Sequence, residues 1–228
     1  MADAHGIKIT EDGPYEVSAS LPLIDQKIET GPDGASLDWA KTGEHDAEPT
    51  YYLCRCGHSA NKPFCDGSHE DTDFDGTETA DRSGFVEKAN KLEGPRYHLL
   101  DKEDLCAVAR FCDTYQTVWK EVERTDEDEI ADVFLNQIAR CPSGRLVAVD
   151  AESGDMVEHP RDPRISTTQD PAEECSGPLY VEGGVSLTGA DGERYESRNR
   201  MALCRCGASG NKPFCDGSHI KIGFSDRD

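Results

Sequence analysis

The 228 residues carry 46 acidic against 24 basic side chains, a formal net charge of −22 that repels nucleic-acid backbones and anionic lipid and suits a basic partner or a salty cytoplasm. Apolar runs such as Leu146–Val149 fall far short of the ~20 residues that span a bilayer, so no membrane association is expected. The opening MADAHGIKITEDGPY lacks the basic and apolar regions of a secretory signal, so the expected compartment is cytoplasmic, where ten cysteines point to metal rather than disulfides.

In chain order, IKIT from Ile7 and GPYEVSASLPL from Gly13 read as short strands. Residues 53–69, LCRCGHSANKPFCDGSH, form a loop dense in Cys, Gly and Pro, whose Asp-Gly turn at 66–67 is expected to open a helix near Asp66 or Ser68. The acidic stretch 70–82 reads as a connector. From Asp101 the spacing of Leu105, Val108, Cys112, Tyr115, Trp119 and Val122 predicts one apolar helix face. A second helix is expected from about 126 to 139, with Thr125 and Asp128 suited to cap it. The LVAV strand follows, with a turn at Ser153-Gly154, and Pro160, Pro163 and Pro171 mark a loop. GPLYVEGGVSL from Gly177 then echoes the stretch at Gly13, and residues 203–219 repeat 53–69 at fifteen of seventeen positions; only His58/Ala208 and Ala60/Gly210 differ. The repeat divides the chain into 1–78, a helical insert over 79–164, and 165–228, with an α+β fold.

Each copy supplies Cys-x-Cys, a third cysteine nine residues on and a histidine four further: Cys54, Cys56, Cys65, His69 and Cys204, Cys206, Cys215, His219. Three thiolates and one imidazole complete a four-ligand set. Zinc knuckles use such a set too, although more often with Cys-x2-Cys spacing, and crowding in Cys-x-Cys disfavours disulfides.

The run C-x-C-x2-S-x3-P-x-C-D-G-S-H, complete in both copies with Ser59 and Ser209, resembles the signature of the CDGSH iron–sulfur (NEET) family. The resemblance implies one 2Fe–2S cluster per copy, held by those four residues. It also implies a β-rich cap and, as in tandem members, a pseudo-dimer within one monomeric polypeptide. Replacing one thiolate by imidazole makes the ligand set less negative and raises the potential. Histidine also titrates near neutrality, so such a cluster is expected to be both redox-active and acid-labile.

In the insert, Cys106-x5-Cys112 and the distant Cys141-Pro142-Ser143-Gly144 resemble single-cluster ferredoxins, in particular divergent 4Fe–4S mono-cluster domains, over about 99–149. Ala109 stands where a 4Fe–4S member has a further cysteine, which leaves a 3Fe–4S cluster, or a 4Fe–4S cluster with a ligand from elsewhere. The competing reading makes Cys112 a small buried hydrophobe, Cys141-Pro142 a helix end and Cys175 a lone loop thiol. Arg55, Arg205, Lys62 and Lys212 either offset cluster charge or are solvated surface. No Gly-rich nucleotide loop, nucleophile elbow or HExxH is present, and His45, His98 and His159 have no partners at catalytic spacing. The expectation is a protein without catalytic residues that passes electrons or clusters to a redox or cluster-acceptor protein. The alternatives are an iron–sulfur subunit of a redox enzyme and a zinc-binding interaction module.

Overall fold

A computed structural model describes residues 6–18 and 20–227. The first five residues, part of the stretch read against a secretory signal, lie outside them, as does Ala19 in the first upstream stretch. The first repeat gives β1 (Gly6–Ile9), β2 (Tyr15–Ser18), β3 (Leu23–Thr30), β4 (Ser36–His45) and β5 (Tyr51–Leu53). The insert adds α1 (Phe85–Lys88), β6 (Asn90–Leu92), β7 (Tyr97–Asp101), α2 (Val118–Glu121), α3 (Asp128–Arg140), β8 (Leu146–Asp150) and β9 (Met156–Val157). The second repeat contributes β10 (Arg164–Asp170), β11 (Cys175–Glu182), β12 (Ser186–Thr188), β13 (Arg200–Leu203) and α4 (Ser218–Lys221). Among these residues no helix is long and apolar enough to cross a membrane.

Two sheets copy one another. One runs β12-β1-β2-β5 and the other β13-β11-β10-β3-β4. Each takes one parallel strand from the other repeat: β12 lies on β1 with Ile7 opposite Leu187, and β3 lies on β10 with Ile24 opposite Ser166. Alternation in β1, β2 and β5 turns Ile7, Ile9, Tyr15, Val17 and Leu53 inward, where they meet Ile165, Leu179, Val181, Met201 and Leu203 in one core.

The strand β10 corrects the loop expected between Pro160 and Pro171. Its sequence RISTTQD shows no apolar alternation because its polar side chains are buried and bonded rather than exposed. Thr167 donates to Asp25 (2.5 Å), Thr168 to the Pro178 carbonyl (2.7 Å) and Gln169 to Asp226 (2.7 Å). Cys175, expected in a loop, is instead the buried first residue of β11.

The insert is mixed rather than helical. Its own antiparallel sheet, β6-β7-β8-β9, packs Leu99, Leu146 and Ala148 against Val118, Val122, Phe134 and Ile138 of its helical segments. The long helix expected through Leu105 and Val122 does not form. Val108 (φ 56°) and Arg110 (φ 61°) are left-handed, which ends any helix there, and only 3-10 turns and the four-residue α2 follow. Tyr115, assigned to the apolar face, is 73 % exposed. The second helix forms as α3, but its N-cap is Glu127. Thr125 instead accepts from the Arg96 and Tyr97 amides at 3.2 Å each, fastening β7. The insert lies against the second sheet: Trp39 of β4 sits between Phe111 and Tyr180 (5.1 and 5.7 Å between ring centres) and donates to the Arg140 carbonyl.

Candidate metal centres

Strands β5 and β13 each run straight into a Cys-x-Cys. The loop then folds back so that the third cysteine returns beside the strand: Cys54 N donates to Pro63 O (2.8 Å) and Cys65 N to Tyr52 O (2.8 Å). The second copy does the same through Cys204 N to Pro213 O (2.8 Å) and Cys215 N to Ala202 O (2.9 Å). The motif serine closes the loop, Ser59 and Ser209 donating to the Phe64 and Phe214 carbonyls at 2.7 Å each. The motif aspartate ties its two ends: Asp66 accepts from the amides of Ala60 and Ser68, and Asp216 from those of Gly210 and Ser218. Hydrogen bonds from Ser68 and Ala60 hold the Asp66 carboxyl well below the usual range. The glycine that follows is left-handed in both copies (φ 91° and 84°) and opens a single turn, a 3-10 turn at Ser68–Asp71 and α4 in the second repeat, which carries the histidine.

These loops arrange their four side chains as two pairs. The sulfurs of Cys54 and Cys56 are 3.7 Å apart and those of Cys204 and Cys206 3.8 Å. Cys65 Sγ lies 3.5 Å from His69 Nδ1, and Cys215 Sγ 3.3 Å from His219 Nδ1. A tetrahedral ion with bonds of about 2.3 Å to sulfur and about 2.0–2.1 Å to nitrogen separates two sulfurs by ~3.8 Å and a sulfur and nitrogen by ~3.6 Å. Each pair therefore has the spacing of two ligands on one ion, and the donor set would fit a two-iron unit. Backbone amides point at the sulfurs, Gly57 N at Cys54 (3.3 Å), His58 N at Cys56 (3.4 Å) and Gly217 N at Cys215 (3.4 Å), donors that stabilise thiolate. Among the described residues no three such ligands meet as a single-ion site.

The insert brings Cys106, Cys112 and Cys141 together on one cavity, with Ala109 on the same wall. Cys141 is delivered by the end of α3, Cys106 and Cys112 by the left-handed loop. Burial, with the charges of Cys141 and Cys106, pushes the Cys112 thiol up to about 12. Arg145, bonded to Asp101 at 2.5 and 2.8 Å, lines the same cavity. Three converging thiols beside a guanidinium fit an anionic cluster with three cysteine ligands. Cys175 is not on this cavity wall; burial pushes it up to about 11.

A model of the family described as iron-binding zinc finger CDGSH type matches residues 12–70 and again 176–220, and one described as divergent 4Fe-4S mono-cluster matches residues 92–151 between them. The chain carries two CDGSH iron–sulfur domains around a divergent 4Fe-4S domain. No curated protein and no solved structure gave a significant match.

Two features of this tandem CDGSH protein escaped the motif. The arginines between the ligand cysteines, left open between charge offset and surface, are neither exposed nor idle. Arg55 is 1 % exposed and donates to the carbonyls of Gly13, Gly76 and Thr10 at 2.7, 2.9 and 3.1 Å. Arg205, 3 % exposed, bonds the Gly177 and Thr168 carbonyls and pairs with Asp226. Lys62 and Lys212 staple their own loops, donating to the Ser59 and Ser209 carbonyls at 2.7 and 2.9 Å. Their presence in both copies was the available signal.

The two CDGSH sites also differ in cover. Cys65 and His69 are half-buried, whereas Cys215 and His219 are each 3 % exposed. Across the second loop lie the connector, with Thr79 and Ala80 amides on Lys212 O (2.8 and 2.9 Å), and the insert, whose Asp104 carbonyl accepts from Asn211 at 2.7 Å. Burial, with Arg205 adding to it, pushes His219 down to about 4, which favours the neutral imidazole. Of the stray histidines, His45 pairs with Asp25 at 2.9 Å and His98 accepts from the Gly94 amide.

Proposed function

We propose that this chain is an electron-transfer protein holding two 2Fe–2S clusters, one on Cys54, Cys56, Cys65 and His69 and one on Cys204, Cys206, Cys215 and His219. A third cluster, of the 3Fe–4S type, is held by Cys106, Cys112 and Cys141. The observation that carries the reading is the division of each CDGSH set into two pairs at the spans of two tetrahedral ions. A zinc knuckle calls for one point of convergence instead. When bound, the clusters supply one-electron redox chemistry.

The chain's own residues do the rest. Amides of the ligand loops donate to the sulfurs, Arg55 and Arg205 fasten the loops to their sheets, and the reciprocal β1/β12 and β10/β3 pairings join the repeats as a pseudo-dimer within a monomer. The imidazoles of His69 and His219 complete the sets without the negative charge of a fourth thiolate, which favours the reduced state over an all-cysteine site. The absence of a catalytic constellation in the sequence suits a carrier rather than an enzyme.

Anaerobic reconstitution followed by iron and acid-labile sulfide determination tests this. About seven iron and about eight sulfide per chain, with absorbance bleached reversibly by dithionite, are expected. A colourless protein with zinc and no sulfide would exclude it.

A further inference from the structure

The three sites are not equivalent in their neighbours. The insert loop rests directly on the second CDGSH loop. The Cys106 carbonyl lies 3.8 Å, and a Val108 methyl only 2.4 Å, from where a Cβ would stand on Gly217, two residues from both Cys215 and His219. Ala107 packs with Cys215 and Ala202 in a small apolar cluster, and Asn211 reaches the Asp104 carbonyl. Val108 holds this position at φ 56°, a conformation that a β-branched residue adopts only when its surroundings impose it.

On its other side the second loop meets the first. A Cβ on Gly57 would lie 2.7 Å from Cys206 O, and one on Gly207 2.4 Å from Cys56 O. Backbone of one ligand Cys-x-Cys thus packs on backbone of the other. The packed path runs from Cys106 through Ala107 and Cys215 to Cys206 and Gly57. The second loop thus meets the insert on one side and the first loop on the other, and His69 of the first is half-buried at the surface.

We infer that the three sites form an ordered relay, insert to second CDGSH site to first, in which the second site is the internal step and the His69 edge of the first is a port to a partner protein. The inference rests on the cluster reading above. Tunnelling falls off exponentially with separation and favours packed paths over gaps, so nearest neighbours exchange fastest. In each step one electron leaves one site as one enters the next; no bond forms or breaks and no atom moves. The electron is supplied at one end by a soluble one-electron reductant, dithionite in the laboratory or a reduced redox protein in the cell, and leaves at the other to a one-electron acceptor.

The test is low-temperature EPR on the reconstituted full chain, titrated with dithionite after iron and sulfide have been counted. Spin–spin broadening of the insert signal is expected when the second site is reduced, and the insert-to-first coupling is expected to be the weakest of the three. His69→Cys, which keeps a complete ligand set, shifts the first-site signal and so assigns it. In Cys204→Ser/Cys206→Ser the insert broadening should vanish, and in Cys54→Ser/Cys56→Ser it should remain. The ranking of couplings in the unmodified chain needs no variant, so a misfolded double mutant leaves the order decidable. A loaded protein with three mutually unperturbed signals, or with the insert coupled to the first site instead, would overturn the relay and leave the cluster reading standing. A protein that takes up no iron and sulfide would remove both.

Discussion

Arg55 and Arg205 occupy equivalent places yet lean on different partners. Arg55 is satisfied by three carbonyls, Arg205 by two carbonyls and the buried carboxylate of Asp226. Removing Arg205 strands a buried charge, which costs about 3–5 kcal/mol, whereas Arg55→Ala leaves only neutral acceptors unpaired. In urea unfolding of the metal-free chain, Arg205→Ala should therefore lose more than Arg55→Ala. Burial pushes Asp226 up, but Arg205, Ser176 and Gln169 outweigh it and hold the carboxyl below its usual range. Its folded pKa thus lies under the unfolded value of about 3.9, so its contribution is present above that pH and lost as pH falls through the folded value. Asp226→Asn should flatten the stability curve below about pH 4. The histidine ligands act in a higher window. Protonating a liganding imidazole frees the iron, so visible absorbance should fade at mildly acid pH, and His69→Cys with His219→Cys should slow the fading. Equal fading in wild type and variant would remove histidine from that process. The eight CDGSH side chains stand out in the sequence because a ligand set would fix residue type and spacing. The role of the arginines was not, because a buried guanidinium and a solvated one look alike in a sequence.

At the scale of elements, the errors have one origin. Leu105, Val108 and Cys112 recur at three and four, which is helical spacing, but the loop that aims Cys106 and Cys112 at one cavity needs left-handed residues between them. Cavity lining and helix face leave the same periodic mark, and tertiary packing chose the first. Strand β10 escaped for the opposite reason: burial on both faces erased its alternation, and its threonines and Gln169 found partners inside. By contrast α3, β8 and the strands β2 and β11 were legible from their own periods. The wall position of Ala109 carries a functional expectation. Ala109→Cys should supply the fourth thiolate and raise the iron content by about one per chain, converting the insert EPR signal from the three-iron to the four-iron type. An unchanged iron count and signal would place the fourth corner of the cluster elsewhere.

For the molecule as a whole, the repeat announced two like halves but not how they join. The exchange of β12 and β3 between halves depends on which sheet edges meet, a long-range choice that no local pattern encodes. Nor was it visible that the insert would lie across the second loop, where the connector also bonds. That asymmetry should make iron loss biphasic. A hydrophilic chelator should strip the first site, with half-buried Cys65 and His69, well before the second, where Cys215 and His219 are each 3 % exposed. Single-phase loss would mean that the cover does not protect. The most direct measurement is Mössbauer spectroscopy of the oxidised chain grown on iron-57. If each CDGSH loop holds its ligands as a sulfur–sulfur pair and a sulfur–nitrogen pair, two distinct ferric environments of equal weight should resolve from the insert contribution. A single environment for all the CDGSH iron, or a chain loaded with zinc in its place, would contradict it.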